Sequence, residues 1–282
     1  MKVTAQRKRI GAELRRLREI AGLSGERVAQ EFDWSQSKVS RIESGWPFTV
    51  KDVTGLLMFY GVSADLRAEL LAATAQDTGE STWVLQAGGY PRRQETIADM
   101  ESATKRIRHY QPVVIPGLLQ TYDYARLVAK AVGASDPEAI AEARMRRQET
   151  LNAKSAPRYE AVVDARALLL RLGHLDVLRD QILGLVDRAG HKRVSLQVVP
   201  LGAEVSTFAV VGFNIYDFQH KDSPSVVWTE SPTGDTYYSA PDDVNRYGEI
   251  FKKLQGLALS PMDSVEYLQS FALDIERYMG NA

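Results

Sequence analysis

The sequence predicts two domains, an N-terminal bundle of five short helices and a C-terminal mixed α/β domain with a small mixed sheet and flanking helices. Short segments of helical periodicity, joined by brief connections, fill the first domain. Runs rich in valine and aromatic residues, typical of strands, alternate with helical segments in the second half. With 282 residues the chain is long enough for both. We expect a helical domain over residues 1–76, a linker or hinge over 77–95 and a second domain over 96–282.

Charge is distributed unevenly along the chain. The net charge is −1, but residues 1–46 hold ten Lys or Arg and six Asp or Glu, so this end carries a local charge of +4. A basic end on a near-neutral chain points to a polyanion as the partner of that end.

Composition excludes several classes of protein. The chain has no cysteine, which rules out disulfides, thiolate metal sites and cysteine nucleophiles, and fits a reducing compartment. No apolar run approaches the roughly 18 residues that a membrane helix needs, and the basic N-terminus lacks the apolar core of a signal peptide. We therefore expect a cytoplasmic protein with no membrane partner.

Helical periodicity predicts the five helices of the first domain in order. The first covers residues 7–21 and ends at Gly22. The fourth covers 50–60 and the fifth 64–76, and each presents one apolar face. A bundle of this size is within the range that folds alone.

Residues 23–45 have the pattern of two short helices joined by a tight turn. Ser24 and Ser35 can cap the two helix starts, because a hydroxyl oxygen accepts hydrogen bonds from amides that a helix start leaves unpaired. Each helix has one apolar stripe, formed by Val28, Ala29 and Phe32 in the first and by Val39 and Ile42 in the second. In the turn, Asp33 tolerates left-handed backbone geometry, and we expect Trp34 to pack in the core.

Two helices in this arrangement are typical of a helix-turn-helix, whose second helix enters the major groove of DNA. We expect residues 35–44 to be that helix, with base contacts from Gln36, Ser37, Ser40 and Arg41. Arg41 is the best single candidate for a base contact, because its planar guanidinium can donate hydrogen bonds to both acceptor atoms of a guanine. The alternatives are an ion pair between Arg41 and Glu43 or another acid, and plain solvent exposure for Gln36 and Ser37.

Four further side chains are candidate phosphate contacts: Ser24, Lys38, Arg15 and Arg16. Such contacts position a protein on DNA without reading its sequence. For Arg15 and Arg16, together with Arg18, a solvated helix face is the alternative.

The second domain is predicted to alternate helices with strands. Helices are expected at residues 97–110, 122–131, 137–153 and 175–189, and two more close the chain. Strands are expected at residues 159–164, 194–200, 208–218 and 225–230. A helix between the first two strands indicates a parallel pair with a crossover, whereas the short connections between the later strands indicate antiparallel pairing.

Residues 10–60 resemble the helix-turn-helix of the xenobiotic-response-element family, which includes phage repressors. The resemblance runs through Leu14, Leu23, Ser24, Val28, Ala29, Ser35, Val39, Ser40, Ile42, Glu43 and Gly45. By this similarity Gln36, Ser37 and Arg41 fall where the family contacts bases. The chain departs from the family at Gly25, where a phosphate-bonding side chain is common, and at the turn, where an aspartate replaces glycine.

The second half resembles one group of bacterial regulators that joins this helix-turn-helix to a C-terminal domain of unknown function. The likeness rests on VIPGLLQTYDYAR at 114–126, RRQETL at 146–151 and VSLQVVP at 194–200. The group is abundant in filamentous bacteria and is described as antitoxin-like. Membership implies regulation of transcription, often beside a gene for a small partner protein. Ala165 departs from the group, which commonly carries Glu there. The PGLLQT run also has a structural explanation, as a turn followed by a helix start.

These observations predict a sequence-specific transcription regulator that binds double-stranded DNA as a homodimer, since helix-turn-helix proteins commonly bind twofold sites. We expect the second domain to take a small partner protein or a small-molecule ligand, or to dimerise. The alternative is a ligand-processing enzyme fused to a DNA-binding module. None of the four histidines has the spacing of a metal or nucleophile–base motif, so we predict no enzymatic activity, no catalytic residue, no metal and no cofactor.

Overall fold

The protein is described by a computed structural model that covers residues 5–78, 82–86, 94, 97–98, 100–204, 206–219, 225–231 and 234–280. The N-terminal part is a bundle of five helices, as predicted. They are α1 (Ala5–Ile20), α2 (Gly25–Glu31), α3 (Gln36–Glu43), α4 (Val50–Phe59) and α5 (Ala64–Thr78).

The core of the bundle is aliphatic, and it brings α1 and α3 into close contact. Leu14, Val28 and Leu56 are fully buried at its centre. Gly11 lies where the two helices approach, and a Cβ there would come within 2.5 Å of the Ile42 carbonyl oxygen. No side chain fits at that distance, so the glycine permits the packing that fixes α3 against α1.

The C-terminal part is a mixed sheet with helices on both faces, which confirms the predicted fold class. Its strands are β1 (Thr82–Gln86), β2 (Thr104–Gln111), β3 (Arg158–Asp164), β4 (Val194–Val199), β5 (Phe213–Phe218), β6 (Val226–Glu230) and β7 (Gly234–Tyr238). Its helices are α6 (Tyr122–Ala131), α7 (Pro137–Gln148), α8 (Leu175–Ala189), α9 (Pro241–Leu257) and α10 (Pro261–Gly280). Short 3₁₀ turns lie at 117–119, 149–151 and 165–169.

The strands follow the order β1-β7-β6-β5-β2-β3-β4. The predicted parallel pair is present, because β3 and β4 run side by side with α8 as their crossover. β2 is also parallel to β3, while β5, β6, β7 and β1 pair antiparallel. The carboxyl ends of the three parallel strands, β2, β3 and β4, therefore lie side by side.

Two layers of helices cover the sheet. One face packs against α8 and α10 through side chains that include Tyr159, Leu196, Ile182, Leu185, Leu268 and Ala272. The other face packs against α9 through Val162, Phe213, Ile215, Phe251 and Leu254. Val50 of α4 is fully buried in the first of these clusters, so α4 of the helical bundle packs against the core of the sheet.

One predicted element is wrong. The helix expected over residues 97–110 gives way to β2 from Thr104 onward. The basic side chains of this segment are neutralised from neighbouring strands; Arg106, for example, donates to both carboxylate oxygens of Glu160 on β3, at 3.0 and 2.8 Å. The strand expected at 208–218 is shorter than predicted and begins at Phe213.

The segment predicted as a linker is only partly within the described residues. Residues 82–86 form β1, which pairs with β7 at the edge of the sheet. Residues 79–81, 87–93 and 95–96 lie outside the described part of the chain, so the predicted domain limits stay a prediction. None of the helices in the described ranges combines the length and apolarity needed to cross a bilayer.

Candidate nucleic-acid interface

Two capped helices and a left-handed turn position the candidate interface. The Ser24 hydroxyl accepts a hydrogen bond from the Arg27 amide at 3.1 Å and begins α2. The Ser35 hydroxyl accepts one from the Lys38 amide at 3.2 Å and begins α3. Between them Asp33 has a φ of 53°, as its place in the turn predicts. Local sequence therefore fixes where both helices begin.

Aromatic packing holds the turn against the rest of the bundle. Phe32 stacks on Trp34 with ring centroids 4.8 Å apart, and Phe59 of α4 meets Phe32 edge-on at 5.7 Å. Gly55 makes room for this contact, because a Cβ there would lie 2.8 Å from the Phe32 ring. Trp34 is half-buried against the core, as expected of its position.

The four predicted base contacts share the exposed side of α3. Val39 and Ile42 are buried beneath it, whereas Gln36, Ser37, Ser40 and Arg41 are exposed. The Arg41 Nε donates to the Ser37 carbonyl at 3.3 Å, and no acid pairs with Arg41 within the described ranges. Its guanidinium thus keeps donors available for an acceptor outside the chain.

Glu43 is engaged elsewhere, so the alternative ion pair with Arg41 does not form. Arg18 of α1 donates to both Glu43 oxygens, at 2.6 and 3.0 Å, and to the Leu23 carbonyl at 2.8 Å. Both side chains of the ion pair are mostly buried. The hydrogen bonds to Glu43 raise the pKa of Arg18. Arg18 therefore holds the end of α3, and the residue that precedes the α2 cap, against α1.

Lys38 is held by two neighbours within the bundle. Its Nζ lies 2.9 Å from Asp52 Oδ1 and 3.7 Å from the centroid of the Trp34 ring. Asp52 also closes a capping box, because it accepts from the Thr49 amide that begins α4. Burial alone would raise the pKa of Asp52, but the hydrogen bonds from Thr49 and Lys38 lower it. A phosphate contact by Lys38 stays a prediction, and it would have to share the ammonium with Asp52.

The other candidate phosphate contacts also have partners inside the protein. The Ser24 hydroxyl serves as the cap of α2. Arg15 pairs with Glu19 at 3.0 Å, and Arg16 pairs with Glu13 at 2.6 Å, all on the solvent side of α1. Their phosphate roles stay predictions, and surface pairs of this kind cost little to exchange for a phosphate.

Asp52 is the residue that the sequence analysis missed at this site. The spacing Thr49-x-x-Asp52 is a capping-box signature that marks the start of α4. The pairing with Lys38, fourteen positions earlier, depends on how α3 packs beside α4 and leaves no local signal in the sequence.

In the C-terminal part, the two motifs of the second resemblance meet in space. Gln148 Nε2 donates to the carbonyls of Gly117 and Gln120, at 3.1 and 2.7 Å. Arg144 Nη1 donates to the Gln120 side chain at 2.6 Å. A Cβ at Gly117 would come within 2.8 Å of Arg147 Nη2. The PGLLQ turn is therefore fastened by the helix that carries the RRQ run, which supports its structural explanation.

A buried polar cluster lies beneath the same helix. His109 Nδ1 is 2.9 Å from the Tyr159 hydroxyl, and Arg147 Nε is 2.9 Å from Glu101 Oε2. Burial, together with the nearby Arg147 charge, lowers the pKa of His109 to about 3. Burial also raises the pKa of Glu101 to about 7, against the opposing pull of Arg147. His109 is therefore a neutral core residue at physiological pH. Within the described ranges no acidic or histidine cluster has the geometry of a metal site.

Comparison with known proteins finds a family model that matches each part of the chain. A family model described as "Helix-turn-helix domain" matches residues 9–70, which confirms the predicted motif. A second, described as "Domain of unknown function (DUF5753)", matches residues 94–270. A comparison with curated protein sequences finds no match.

Among solved structures the chain is similar to one described as "Structure of TrmBL2, an archaeal chromatin protein, shows a novel mode of DNA binding". The identity is 13%, the TM-score is 0.33, and the match covers 70% of this chain and 61% of that one. A likeness this weak carries no argument about function.

Proposed function

The chain belongs to the family described as "Domain of unknown function (DUF5753)" and carries a helix-turn-helix domain ahead of that region, and we propose that it is a sequence-specific DNA-binding regulator of transcription. The observation that carries the proposal is the outer side of α3, where four polar side chains are exposed above a buried apolar stripe. This is the arrangement a helix needs to enter the major groove.

In this proposal Arg41 reads a guanine, because it is exposed and has no acidic partner within the described ranges. Gln36 reads an adjacent base, and Ser37 and Ser40 add shorter contacts. Ser24, Lys38, Arg15 and Arg16 contact phosphates. The excess of positive charge over residues 1–46 supports DNA contact by this end of the chain.

The proposal includes the finer features that the sequence suggests. The helix-turn-helix is of the xenobiotic-response-element type, and the protein is an antitoxin-like regulator that binds as a homodimer to two half-sites about 34 Å apart. The C-terminal domain receives a signal, from a small-molecule ligand or from a small partner protein. It does so without catalysis.

Selection from genomic DNA tests the proposal. The full-length protein is incubated with sheared DNA of the source organism at moderate salt, and bound fragments are sequenced and then titrated by fluorescence anisotropy. We expect a few fragments to bind about 10³-fold or more tightly than bulk DNA, with affinity that falls steeply as salt rises. Equal binding of all fragments would refute sequence-specific regulation.

A further inference from the structure

A groove of about 770 Å³ opens at the edge of the sheet where the three parallel strands end. Asp164 ends β3, Val199 ends β4, and Pro112 directly follows β2. In open sheets with helices on both faces, ligands bind in the crevice beyond the carboxyl ends of the parallel strands. The groove therefore lies where this type of sheet supports binding.

The walls of the groove are apolar and accessible to solvent. Five large apolar side chains line it while roughly half or more of each is exposed: Val113, Leu169, Leu201, Phe208 and Val210. We call these five residues the apolar rim. Apolar side chains concentrated in contact with water raise the free energy of the folded protein. An exposed patch of this kind therefore marks a surface that something covers.

The charged groups in the groove cancel each other. Arg166 Nε and Nη2 donate to the two oxygens of Asp164, at 2.7 and 2.6 Å. Asp164 is buried, and most of the Arg166 side chain is exposed. The hydrogen bonds and charge of Asp164 raise the pKa of Arg166, so the guanidinium keeps its positive charge. An occupant therefore meets hydrogen-bonding groups but no net charge, which favours an uncharged molecule.

The size of the groove distinguishes a small molecule from a protein partner. Pockets for small ligands commonly enclose about 300–1,000 Å³ and are apolar with a few polar groups, as this one is. A stable protein interface needs about 800 Å² of surface on each side, which a concave groove of this size does not offer. We propose that the groove binds an uncharged, largely apolar small molecule, one polar group of which hydrogen-bonds to the Asp164–Arg166 pair. This gives a place and a chemistry to the ligand-receiving role, and in that respect it rests on the proposed function.

Titration with N-phenyl-1-naphthylamine, an uncharged fluorophore that brightens in apolar surroundings, tests the inference on the full-length protein. We expect saturable binding of one probe per chain. Leu169→Arg and Phe208→Ser should each weaken it at least about tenfold, equivalent to roughly 1.4 kcal/mol. Leu273→Arg on α10 is the matched control, because Leu273 is as exposed as Leu169 but does not line the groove. It should bind like the wild type.

Thermal unfolding establishes that the variants are folded, which their exposed positions favour. Unsaturable probe fluorescence, or equal affinity in the wild type and both groove variants, would overturn the inference. So would conversion of a wild-type dimer to a monomer by Leu169→Arg in light scattering, since a second copy would then cover the rim.

DNA binding measured on the same samples separates the two proposals. Probe binding that requires the rim, in a protein without DNA preference, would refute the regulator and leave the groove standing. DNA preference without probe binding would refute the ligand groove and leave the regulator standing.

Discussion

Glu43, the last residue of α3, accepts two hydrogen bonds from the guanidinium of Arg18 on α1. This ion pair joins the helix proposed to read DNA to the helix that begins the bundle. Because it occupies Glu43, it also leaves Arg41 unpaired with that acid. The Arg18–Glu43 pair thus orients α3 and leaves the guanidinium of Arg41 available for the proposed base contact.

Arg41→Ala should weaken binding to the preferred DNA fragment by about 1–3 kcal/mol and relax the preference at one base of each half-site. The melting temperature should stay within error, because Arg41 is exposed. Anisotropy titrations against single-base variants of the site provide the measurement. Arg277→Ala, at an exposed arginine of α10 paired with Asp274, is the control and should bind normally. An unchanged base preference in Arg41→Ala would remove Arg41 from the readout.

Glu43→Gln should destabilise the protein by about 3 kcal/mol, since it removes the charged acceptor of two hydrogen bonds from the mostly buried Arg18. DNA affinity should fall with it, because α3 loses its tie to α1. Denaturant unfolding monitored by circular dichroism measures the first effect. Glu142→Gln is the matched control, as its pair with Arg146 is exposed and worth under about 1 kcal/mol. Equal stability of the two variants would contradict a structural role for the Arg18–Glu43 pair.

Lys38→Ala should lower affinity for all DNA sequences alike and make the dependence of log affinity on log salt shallower by about one unit. The reason is the loss of one phosphate contact. Asp52→Asn is the companion variant, since it removes the charge that competes for Lys38 and should not lower non-specific affinity. A loss in Lys38→Ala that is confined to one base of the site would show that Lys38 reads sequence instead.

Stability should fall on the acid side because His109 is held neutral. Its pKa is about 3 in the folded protein and about 6.5 when unfolded. The stabilisation is complete above pH 6.5 and is lost as pH falls towards 3, since only the unfolded chain takes up the proton. The slope for one group is about 1.4 kcal/mol per pH unit.

Urea unfolding of the wild type and of His109→Gln across this range measures the difference. Glu101 acts in the opposite sense, because its raised pKa makes stability fall as pH rises from 4.5 towards 7. The comparison between variant and wild type removes that contribution if Glu101 titrates alike in both. His191→Gln, at an exposed position, is the control. A variant that keeps the full acid sensitivity of the wild type would contradict the prediction.

Local signals were enough to predict the helical bundle and the side of α3 that faces solvent. Serine caps, apolar spacing and the left-handed aspartate are interactions within a few residues, so their pattern is visible in the sequence. The same holds for the crossover between β3 and β4, where two valine-rich runs flank an amphipathic helix.

The sequence was misleading where distant residues compensate each other. Residues 104–111 carry three basic side chains and a histidine, and this composition does not indicate a buried strand. They form β2 because Glu160 and Asp217 on the neighbouring strands neutralise Arg106 and Arg108. No window of sequence around β2 contains those acids.

By itself, then, the sequence determined the helix-turn-helix, its caps and its candidate base contacts, since short-range hydrogen bonds and periodic burial dictate them. Only the tertiary structure decided which charges remain available. It paired Glu43 with Arg18 and Lys38 with Asp52, fastened Gln148 to the PGLLQ turn, and gathered the apolar rim beyond three parallel strands. Such contacts join residues far apart in the chain, and their free energy depends on how whole elements pack.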